Sequence, residues 1–308
     1  MNKELKEKKV QKTQKIEIPF DDICISTETI IATTNWKVDI IALANHLPVT
    51  NHKVILKKRG RKAKNQKEEE KVPELNNGDI ITLRIGNQLR GVQLKEKKNS
   101  KRFFRNSLTI VMYIDHKFIN FKVSKNGKFQ FTGCKNENHA KLCMKFINDY
   151  TKDSTNIIHI NGQQTEIMFV TVMTNINFNV GFCINREMLD EHINNHTKYY
   201  SLLETSFGYT GVNIKIPLEN INEMPISKIS YKNHEWKEEP FNYAKYVDSL
   251  DDKDKDKEKG KVRYNTFLVF QSGNVILSSP HKNCMKDTYH EFLDIIKNCR
   301  DKIEEKIY

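Results

Sequence analysis

An internal repeat constrains the fold of this chain more than any other feature of its sequence. NFKVSKNGKFQFTGCK aligns with TFLVFQSGNVILSSPH, which places Gly127 over Gly273. Upstream, at a slightly shorter offset, TIIATTNWKV from Thr29 aligns with TVMTNINFNV from Thr171. An amphipathic helix pattern follows NFKVSKNGKFQFTGCK, and another follows TFLVFQSGNVILSSPH. The sequence therefore predicts one unit of strand, helix, several strands and helix that is used twice.

The direction of side chains within the predicted strands follows from their alternation. Segments such as SLTIVMYI, KFINFKVS and TFLVFQS are short and rich in β-branched and aromatic residues, which is typical of antiparallel strands. If Phe129 and Val275 face the helices, the open face of the sheet receives Gln130, Thr132, Ile276 and Ser278. Leu268 and Phe270 also fall on that face, and their apolar character indicates that a partner covers it.

Two helices are predicted from the period of their apolar residues. HAKLCMKFINDY places Leu142, Phe146 and Ile147 on one face. MKDTYHEFLDIIKNCRDKI does the same with Tyr289, Phe292, Leu293 and Ile296.

Charged segments divide the chain into a tail, two repeats and two insertions. Residues 1–18 are predicted to be a disordered basic tail, followed by a first repeat over 19–160 and a second over 161–308. The first repeat contains a charged insertion at 57–77, whose KKRGRKAK run fits a loop, a nuclear import signal or a minor-groove arm. The second contains a long charged insertion at 218–262, and we expect no helix or strand in its DDKDKDKEKGK segment.

Composition fits a polyanionic partner, such as nucleic acid or an anionic membrane surface, and fits equally well a protein from a Lys-rich proteome. The formal net charge is +12, and the sequence pI is about 9.2. Six dispersed cysteines without a CxxC pair favour reduced thiols over a zinc site or a disulfide scaffold. No run approaches the roughly 18–20 apolar residues of a membrane span, and no signal peptide is recognisable, so an intracellular protein without a membrane partner is expected. The strands carry almost no acidic residues, so we expect no catalytic, metal or cofactor site and no enzyme activity.

SKNGKFQFTGCK and QSGNVILSS resemble the two strand–turn–strand motifs of the TATA-box-binding proteins (TBP). IIATTNWKVDIIAL resembles the opening strand and first helix of that family, and the long charged insertions resemble its divergent members in large DNA viruses. The resemblance implies an α+β fold in which two pseudo-symmetric repeats form one curved antiparallel sheet, the saddle, with helices on the convex side. It also implies that the concave face binds and bends double-stranded DNA in the minor groove.

The resemblance assigns DNA contacts residue by residue. Thr132 and Ser278 match base-contacting strand ends, Phe270 and Leu268 match a wedge and its apolar companion, and Tyr209 matches the second wedge. Lys122 and Arg105 are expected to contact the DNA backbone, although both also fit ordinary surface charges. The full predicted DNA-binding set is Thr29, Ile31, Lys122, Arg105, Gln130, Thr132, Thr171, Tyr209, Leu268, Phe270, Ile276 and Ser278.

Departures from the family motif predict unequal halves. The first-repeat wedge positions hold Ser107 and Ser124 (or Val123), and the central paired Asn positions are occupied by Thr29 and Thr171. Stronger wedging at the second repeat is therefore expected.

Two functions follow from these predictions. The first is a transcription initiation factor that recruits RNA polymerase and a factor-B-like protein, in the nucleus or in a cytoplasmic viral factory. The alternative is a protein-interaction adaptor on the same fold with weak or non-specific DNA binding. Whether the chain forms a homodimer when free of DNA stays open.

Overall fold

The computed structural model describes residues 18–52, 74–94, 106–154, 156–203, 210–219 and 221–305, and the fold is α+β, as predicted. The strands are β1 Ile25–Thr34, β2 Trp36–Val38, β3 Ile80–Ile85, β4 Gln88–Gly91, β5 Ser107–Ile114, β6 Lys117–Ser124, β7 Lys128–Cys134, β8 Ile158–Ile160, β9 Thr165–Asn179, β10 Tyr200–Leu203, β11 Gly211–Pro217, β12 Pro225–Lys232, β13 Glu235–Asn242, β14 Tyr264–Phe270 and β15 Asn274–Ser279. The helices are α1 Ile40–His46, α2 Glu137–Thr151, α3 Arg186–His196, α4 Tyr243–Asp248, α5 Asp252–Lys259, α6 Lys286–Asn298 and α7 Arg300–Ile303.

The described residues fall into two compact units. Of the described residues, the first-repeat unit comprises those within 27–173 and 222–255, and the second-repeat unit comprises those within 18–26, 174–221 and 256–305. The first-repeat sheet has the antiparallel order β1–β7–β6–β5–β3–β4, and the second-repeat sheet has the order β9–β15–β14–β11–β10. Five strands thus correspond one to one, and the predicted repetition of one structural unit is confirmed.

The offset that relates Gly127 to Gly273 also relates the first strand and first helix of the two repeats. Val38 N donates to Lys125 O at 2.9 Å, and the equivalent Ile184 N donates to Gln271 O at 2.8 Å. The first helix of each repeat begins with an equivalent cap, because Asp39 accepts from backbone N–H groups of α1 and Asn185 accepts from α3.

The shorter offset predicted for the upstream strands is therefore wrong. Thr29 pairs with Thr132 in the first-repeat sheet, and the equivalent partner of Ser278 in the second is Asn175, not Thr171. The cause is the length of β9: its first half pairs with the inserted strand β12, and only Thr174–Asn179 pairs with β15. Thr171 belongs to this extension of the strand and is only 4% exposed.

The predicted alternation of side chains is confirmed in both sheets. Phe129, Phe131, Phe267 and Val269 are fully buried. Between them, Gln130 is exposed, and Leu268 and Phe270 are half-buried on the opposite face. In the second-repeat unit the buried face packs on α6, where the rings of Phe267 and Phe292 stack 4.3 Å apart.

The two predicted helices form, but only one buries the predicted face. In α6 the buried residues are the four predicted ones: Tyr289, Phe292, Leu293 and Ile296. In α2 the buried face centres on Cys143 and Ile147, whereas Leu142 and Phe146 lie at its margin and are only partly buried. The prediction failed there because it did not count the small residues Ala140 and Cys143 as core.

The insertion between β11 and β14 folds, and the expectation that no helix or strand forms in residues 251–261 is wrong. β12 and β13 form a hairpin, α4 buries Tyr243 and Val247, and α5 is an exposed helix. Asp251 accepts a hydrogen bond from Asp254 N at 2.8 Å at the start of α5. Two ion pairs join α5 to residues outside it: Lys255 Nζ lies 2.8 Å from Asp248 Oδ1, and Arg263 Nη2 lies 2.6 Å from Glu258 Oε2. The segment therefore forms a helix despite the alternating signs of its charges.

No helix in the described ranges is both long enough and apolar enough to cross a membrane.

Candidate nucleic-acid interface

Each unit has a sheet face that its helices leave uncovered, and we call these the first-repeat and second-repeat open faces. The first-repeat open face carries Thr29, Ile31, Thr33, Arg84, Ser107, Thr109, Val111, Tyr113, Phe118, Asn120, Lys122, Ser124, Lys128, Gln130 and Thr132. The second-repeat open face carries Asn175, Asn177, Asn179, Tyr200, Leu202, Asn213, Lys215, Tyr264, Thr266, Leu268, Phe270, Asn274, Ile276 and Ser278.

The first-repeat open face is polar across two adjacent rows of paired residues. One row runs Thr29–Thr132–Asn120–Val111, and Thr132 Oγ1 donates to the backbone oxygen of Asn120 at 3.0 Å. The next row runs Ile31–Gln130–Lys122–Thr109–Arg84. Hydroxyl, amide and basic groups thus lie side by side, with Val111 and Ile31 as the apolar members.

The second-repeat open face is more apolar at the equivalent positions. One row runs Asn175–Ser278–Thr266–Lys215 and keeps the polar character of its counterpart. The next row runs Asn177–Ile276–Leu268–Asn213–Leu202. Ile276 and Leu268 stand where the first repeat has Gln130 and Lys122, so aliphatic surface replaces polar surface.

The largest difference between the repeats lies at the last residue of β6 and of β14. Phe270 lies opposite Gly211, which has no side chain to cover the ring. The equivalent of Phe270 in the first repeat is Ser124, whose hydroxyl donates to Asn126 Oδ1 at 2.6 Å and contacts Lys128 O at 2.9 Å. A flat aromatic ring is therefore available at one of these two positions, and a small hydrogen-bonded hydroxyl occupies the other.

Charge on the two open faces has one sign. Among the open-face positions named above, the basic side chains are Arg84, Lys122, Lys128 and Lys215, and none of these positions holds a carboxylate. On the helix side, Lys141 Nζ on α2 lies 2.8 Å from Glu137 Oε1 and 2.6 Å from Glu238 Oε1. The hydrogen bond from Lys141 holds the pKa of Glu238 below its ordinary value. This distribution suits a polyanion on the open faces.

The structure brings together most of the predicted DNA-binding residues. Thr29, Ile31, Lys122, Gln130 and Thr132 are neighbours on the first-repeat open face. Leu268, Phe270, Ile276 and Ser278 are neighbours on the second-repeat open face.

Three predicted residues are not placed on an open face. Thr171 is buried in the extension of β9, so its assignment is corrected, and Asn175 takes the position equivalent to Thr29. Tyr209 and Arg105 lie outside the described residues, as does the KKRGRKAK run.

Sequence reasoning missed three asparagines on the second-repeat open face: Asn175, Asn177 and Asn213. Within the described ranges, nothing donates a hydrogen bond to the buried Oδ1 of Asn175 or to that of Asn213. The alternation in TNINFN contained part of this signal, and applying the offset of the two turn glycines to the first strand reveals it.

The described part of the chain contains no group of three or more His, Cys, Asp or Glu side chains placed to hold a metal ion.

No protein-family model matches this chain. Its sequence is 26% identical over 225 residues to the uncharacterized protein 335L of Invertebrate iridescent virus 6, a match that covers 70% of this chain. The match spans just under two thirds, 66%, of the length of that curated relative. Among solved structures, the chain is similar to the TBP of Methanococcus jannaschii, with a TM-score of 0.44 and 13% sequence identity over 90% of this chain and 98% of that one.

Proposed function

We propose that this protein is a DNA-binding transcription initiation factor, and not an enzyme, whose open faces contact the minor groove of promoter DNA. The observation that carries the proposal is the chemistry of the two faces. They present hydroxyl, amide, lysine and aliphatic groups, with no carboxylate among the described positions. Such a surface is compatible with the phosphate backbone at its lysines and with base edges elsewhere.

The minor groove suits these faces better than the major groove does. Small hydroxyl and aliphatic side chains on a pleated sheet fill a widened, shallow groove, and recognition there depends on DNA shape and deformability. Phe270 and Leu268 supply the apolar wedge that parts a base step, since both lie half-buried on the open face rather than in the core. Ser124 and Lys122 at the equivalent positions support hydrogen bonding and phosphate contact instead. The proposed kink is therefore centred on the second-repeat face.

The helix side is left for protein partners under this proposal. RNA polymerase and a factor-B-like protein are the proposed partners, in the nucleus or in a cytoplasmic viral factory. The competing function is a protein-interaction adaptor, which the serines at the first-repeat wedge positions, Ser107 and Ser124, favour.

A binding experiment separates the two functions. Fluorescence anisotropy is measured on matched A·T-rich and G·C-rich duplexes across a salt series, with wild type, Phe270→Ala and a control, Met188→Ala. Met188 is 40% exposed on α3, so its truncation removes a similar apolar side chain from the helix side. We expect tighter binding to A·T-rich DNA, a loss of about 1–3 kcal/mol for Phe270→Ala and no change for Met188→Ala.

The same series contains the outcome that overturns the proposal. Equal affinity for both duplexes, a steep salt dependence and no effect of Phe270→Ala would mean that only basic segments contact DNA. The adaptor function would then be favoured. Thermal melting of each variant checks that the folded protein is being compared.

A further inference from the structure

Each open face carries an exposed aromatic side chain near the start of its inner hairpin strand, β6 or β14. The offset of the two turn glycines relates Phe118 on β6 to Tyr264 on β14. Phe118 lies opposite Tyr113 on β5, and Tyr264 lies opposite Pro217 on β11. Phe118 is 38% exposed and Tyr264 is 40% exposed, so a ligand that lies on either face can reach the ring there.

The two repeats share this aromatic character where their neighbouring open-face positions differ. The next three open-face positions of β6 and of β14 hold different residue types in the two repeats. Neither Phe118 nor Tyr264 is part of the hydrophobic core of its unit. Apolar side chains outside the core are typical of binding surfaces when they lie together with other apolar groups. A ring kept at the same exposed position in both repeats suits a ligand that lies on both faces.

The surroundings of the two rings limit how each of them can contact DNA. The ring of Phe118 lies 5.6 Å from that of Tyr113 and 5.7 Å from that of His52, and it is tilted against both. Lys215 Nζ lies 5.7 Å from the centre of the Tyr264 ring. A side chain that parts a base step lies between two base pairs, so both of its faces have to be free. Rings flanked by their own neighbours are therefore poorly placed to act as wedges.

A deoxyribose ring suits the part of each aromatic side chain that stays accessible. The sugars line the walls of the minor groove and present apolar C–H groups, which pack against an aromatic ring. Each sugar is joined to a phosphate, and the exposed Lys215 beside Tyr264 supplies a positive charge for it. The open-face positions named above include basic side chains and no carboxylate, which matches the charge of the DNA backbone.

We propose that Phe118 and Tyr264 are equivalent DNA contacts, one on each open face, and that each packs against a deoxyribose ring of the minor groove. Lys215 binds the phosphate next to the sugar that Tyr264 contacts. This inference rests on the proposed function, because it requires that both open faces lie on DNA. It adds a contact that the repeats share to the apolar wedge, which only the second repeat provides.

Fluorescence anisotropy on one A·T-rich duplex across a salt series tests the two rings. The variants are Phe118→Ala and Tyr264→Ala, with Phe118→Tyr and Tyr264→Phe as conservative replacements and Met188→Ala, on the helix side and also 40% exposed, as control. We expect each of the two alanine variants at the rings to bind about three- to tenfold more weakly, because part of an apolar contact is lost. The conservative variants and the control should bind like wild type, since the contact needs a ring and not a hydroxyl group.

Lys215→Met separates the phosphate contact from the aromatic contact. Loss of one phosphate contact should flatten the slope of log Kd against log salt concentration by about one unit. Tyr264→Ala should weaken binding and leave that slope unchanged, because it removes no charge. A slope for Lys215→Met equal to that of wild type would show that this lysine binds no phosphate.

The mode of contact is tested with 2-aminopurine, a fluorescent adenine analogue whose emission rises when its neighbours unstack, placed at successive positions of the duplex. Wild type should raise the emission at the step that Phe270 parts, and Phe270→Ala should lose this signal. At saturating protein the signals should all persist in Phe118→Ala and Tyr264→Ala, because packing on a sugar leaves the bases stacked. If either variant removes a signal, its ring acts as a wedge and the deoxyribose assignment is wrong.

Two further outcomes overturn the inference, and they are distinguishable. If Phe270→Ala weakens binding while Phe118→Ala, Tyr264→Ala or both have no effect, the protein contacts DNA but the two rings are not an equivalent pair of contacts. If Phe270→Ala also has no effect and A·T-rich and G·C-rich duplexes bind alike, the proposed function fails, and the inference fails with it. Thermal melting of each variant shows that folded proteins are compared.

Discussion

The repeat makes a quantitative prediction at Gly127 and Gly273, which occupy equivalent hairpin turns with φ values of +72° and +76°. A Cβ added at Gly127 would lie 2.3 Å from the backbone oxygen of Trp36, and one added at Gly273 would lie 2.2 Å from that of Phe182. Real Cβ atoms are not found that close to a carbonyl oxygen, so the neighbouring backbone would have to move. Each glycine therefore permits the hairpin to approach the segment that follows the first strand of its repeat.

The cost of Gly127→Ala has two parts. Placing alanine in the left-handed region costs about 1–2 kcal/mol. Displacing the Trp36 carbonyl costs about 1–3 kcal/mol more, the range for forced overpacking. It also disturbs Thr34, whose Oγ1 donates to Gly127 O at 2.9 Å. We expect the free energy of unfolding to fall by about 2–5 kcal/mol.

Gly133→Ala is the matched control, since Gly133 has a φ of +85° but no atom within 4 Å of an added Cβ. Its cost should be the conformational part alone, about 1–2 kcal/mol. Urea unfolding is followed by tryptophan fluorescence, because Trp36 and Trp236 are the two tryptophans of the chain and both lie in the first-repeat unit. Equal losses for Gly127→Ala and Gly133→Ala would refute the close-approach argument, and with it the reason for a glycine at this turn of the repeat.

Three further predictions concern single side chains. Asp39→Ala should lower the free energy of unfolding by about 0.5–2 kcal/mol in urea titrations, because Oδ1 of Asp39 caps α1 through two backbone N–H groups. Asp39→Asn should retain most of the stabilisation that this cap provides. Asn213→Leu should raise stability by about 1–3 kcal/mol in the same assay, since it removes a buried acceptor without a described donor, and a loss would mean that the oxygen is satisfied. Burial lowers the pKa of His139, which Asp115 opposes, so the unfolded chain binds the proton more readily. Stability should therefore fall as the pH drops through about 6.5, and His139→Phe should flatten that dependence in urea titrations from about pH 7.5 to 5.

Much of the fold follows from the sequence because strand alternation is a local property. The burial of Phe267 and Val269, and the placement of Leu268 and Phe270 on the other face, depend only on a period of two and on one correct assignment of direction. The α6 face was equally predictable, since its four apolar residues are large and regularly spaced.

The sequence-based predictions failed at residues whose position depends on pairing between strands that lie far apart in the sequence. The upstream alignment matched Thr29 with Thr171 by letter, but β9 is 15 residues long and its first half pairs with the inserted strand β12. Nothing local in the sequence separates the two halves of β9. The need of Asn213 for a donor was equally hidden, because it depends on the identity of two cross-strand neighbours and not on the residue itself.

The two repeats share their turn glycines and helix caps and differ in the side chains of their open faces. Gly127 and Gly273 meet the same steric requirement in both repeats, and the helix caps at Asp39 and Asn185 meet the same hydrogen-bonding requirement. These positions are fixed by folding. Side chains on the open faces are not, since they contribute little to the buried cores.

The replacement of Lys122 by Leu268, and of Ser124 by Phe270, therefore has no explanation in the stability of the scaffold. The accessible parts of an aromatic ring and of an aliphatic chain on a sheet face are unfavourable in water and become favourable against an apolar or stacked surface. Under the proposed function, this difference in side chains corresponds to a difference in what each face contacts. A DNA site that is kinked at one end and contacted through polar groups at the other would meet that requirement.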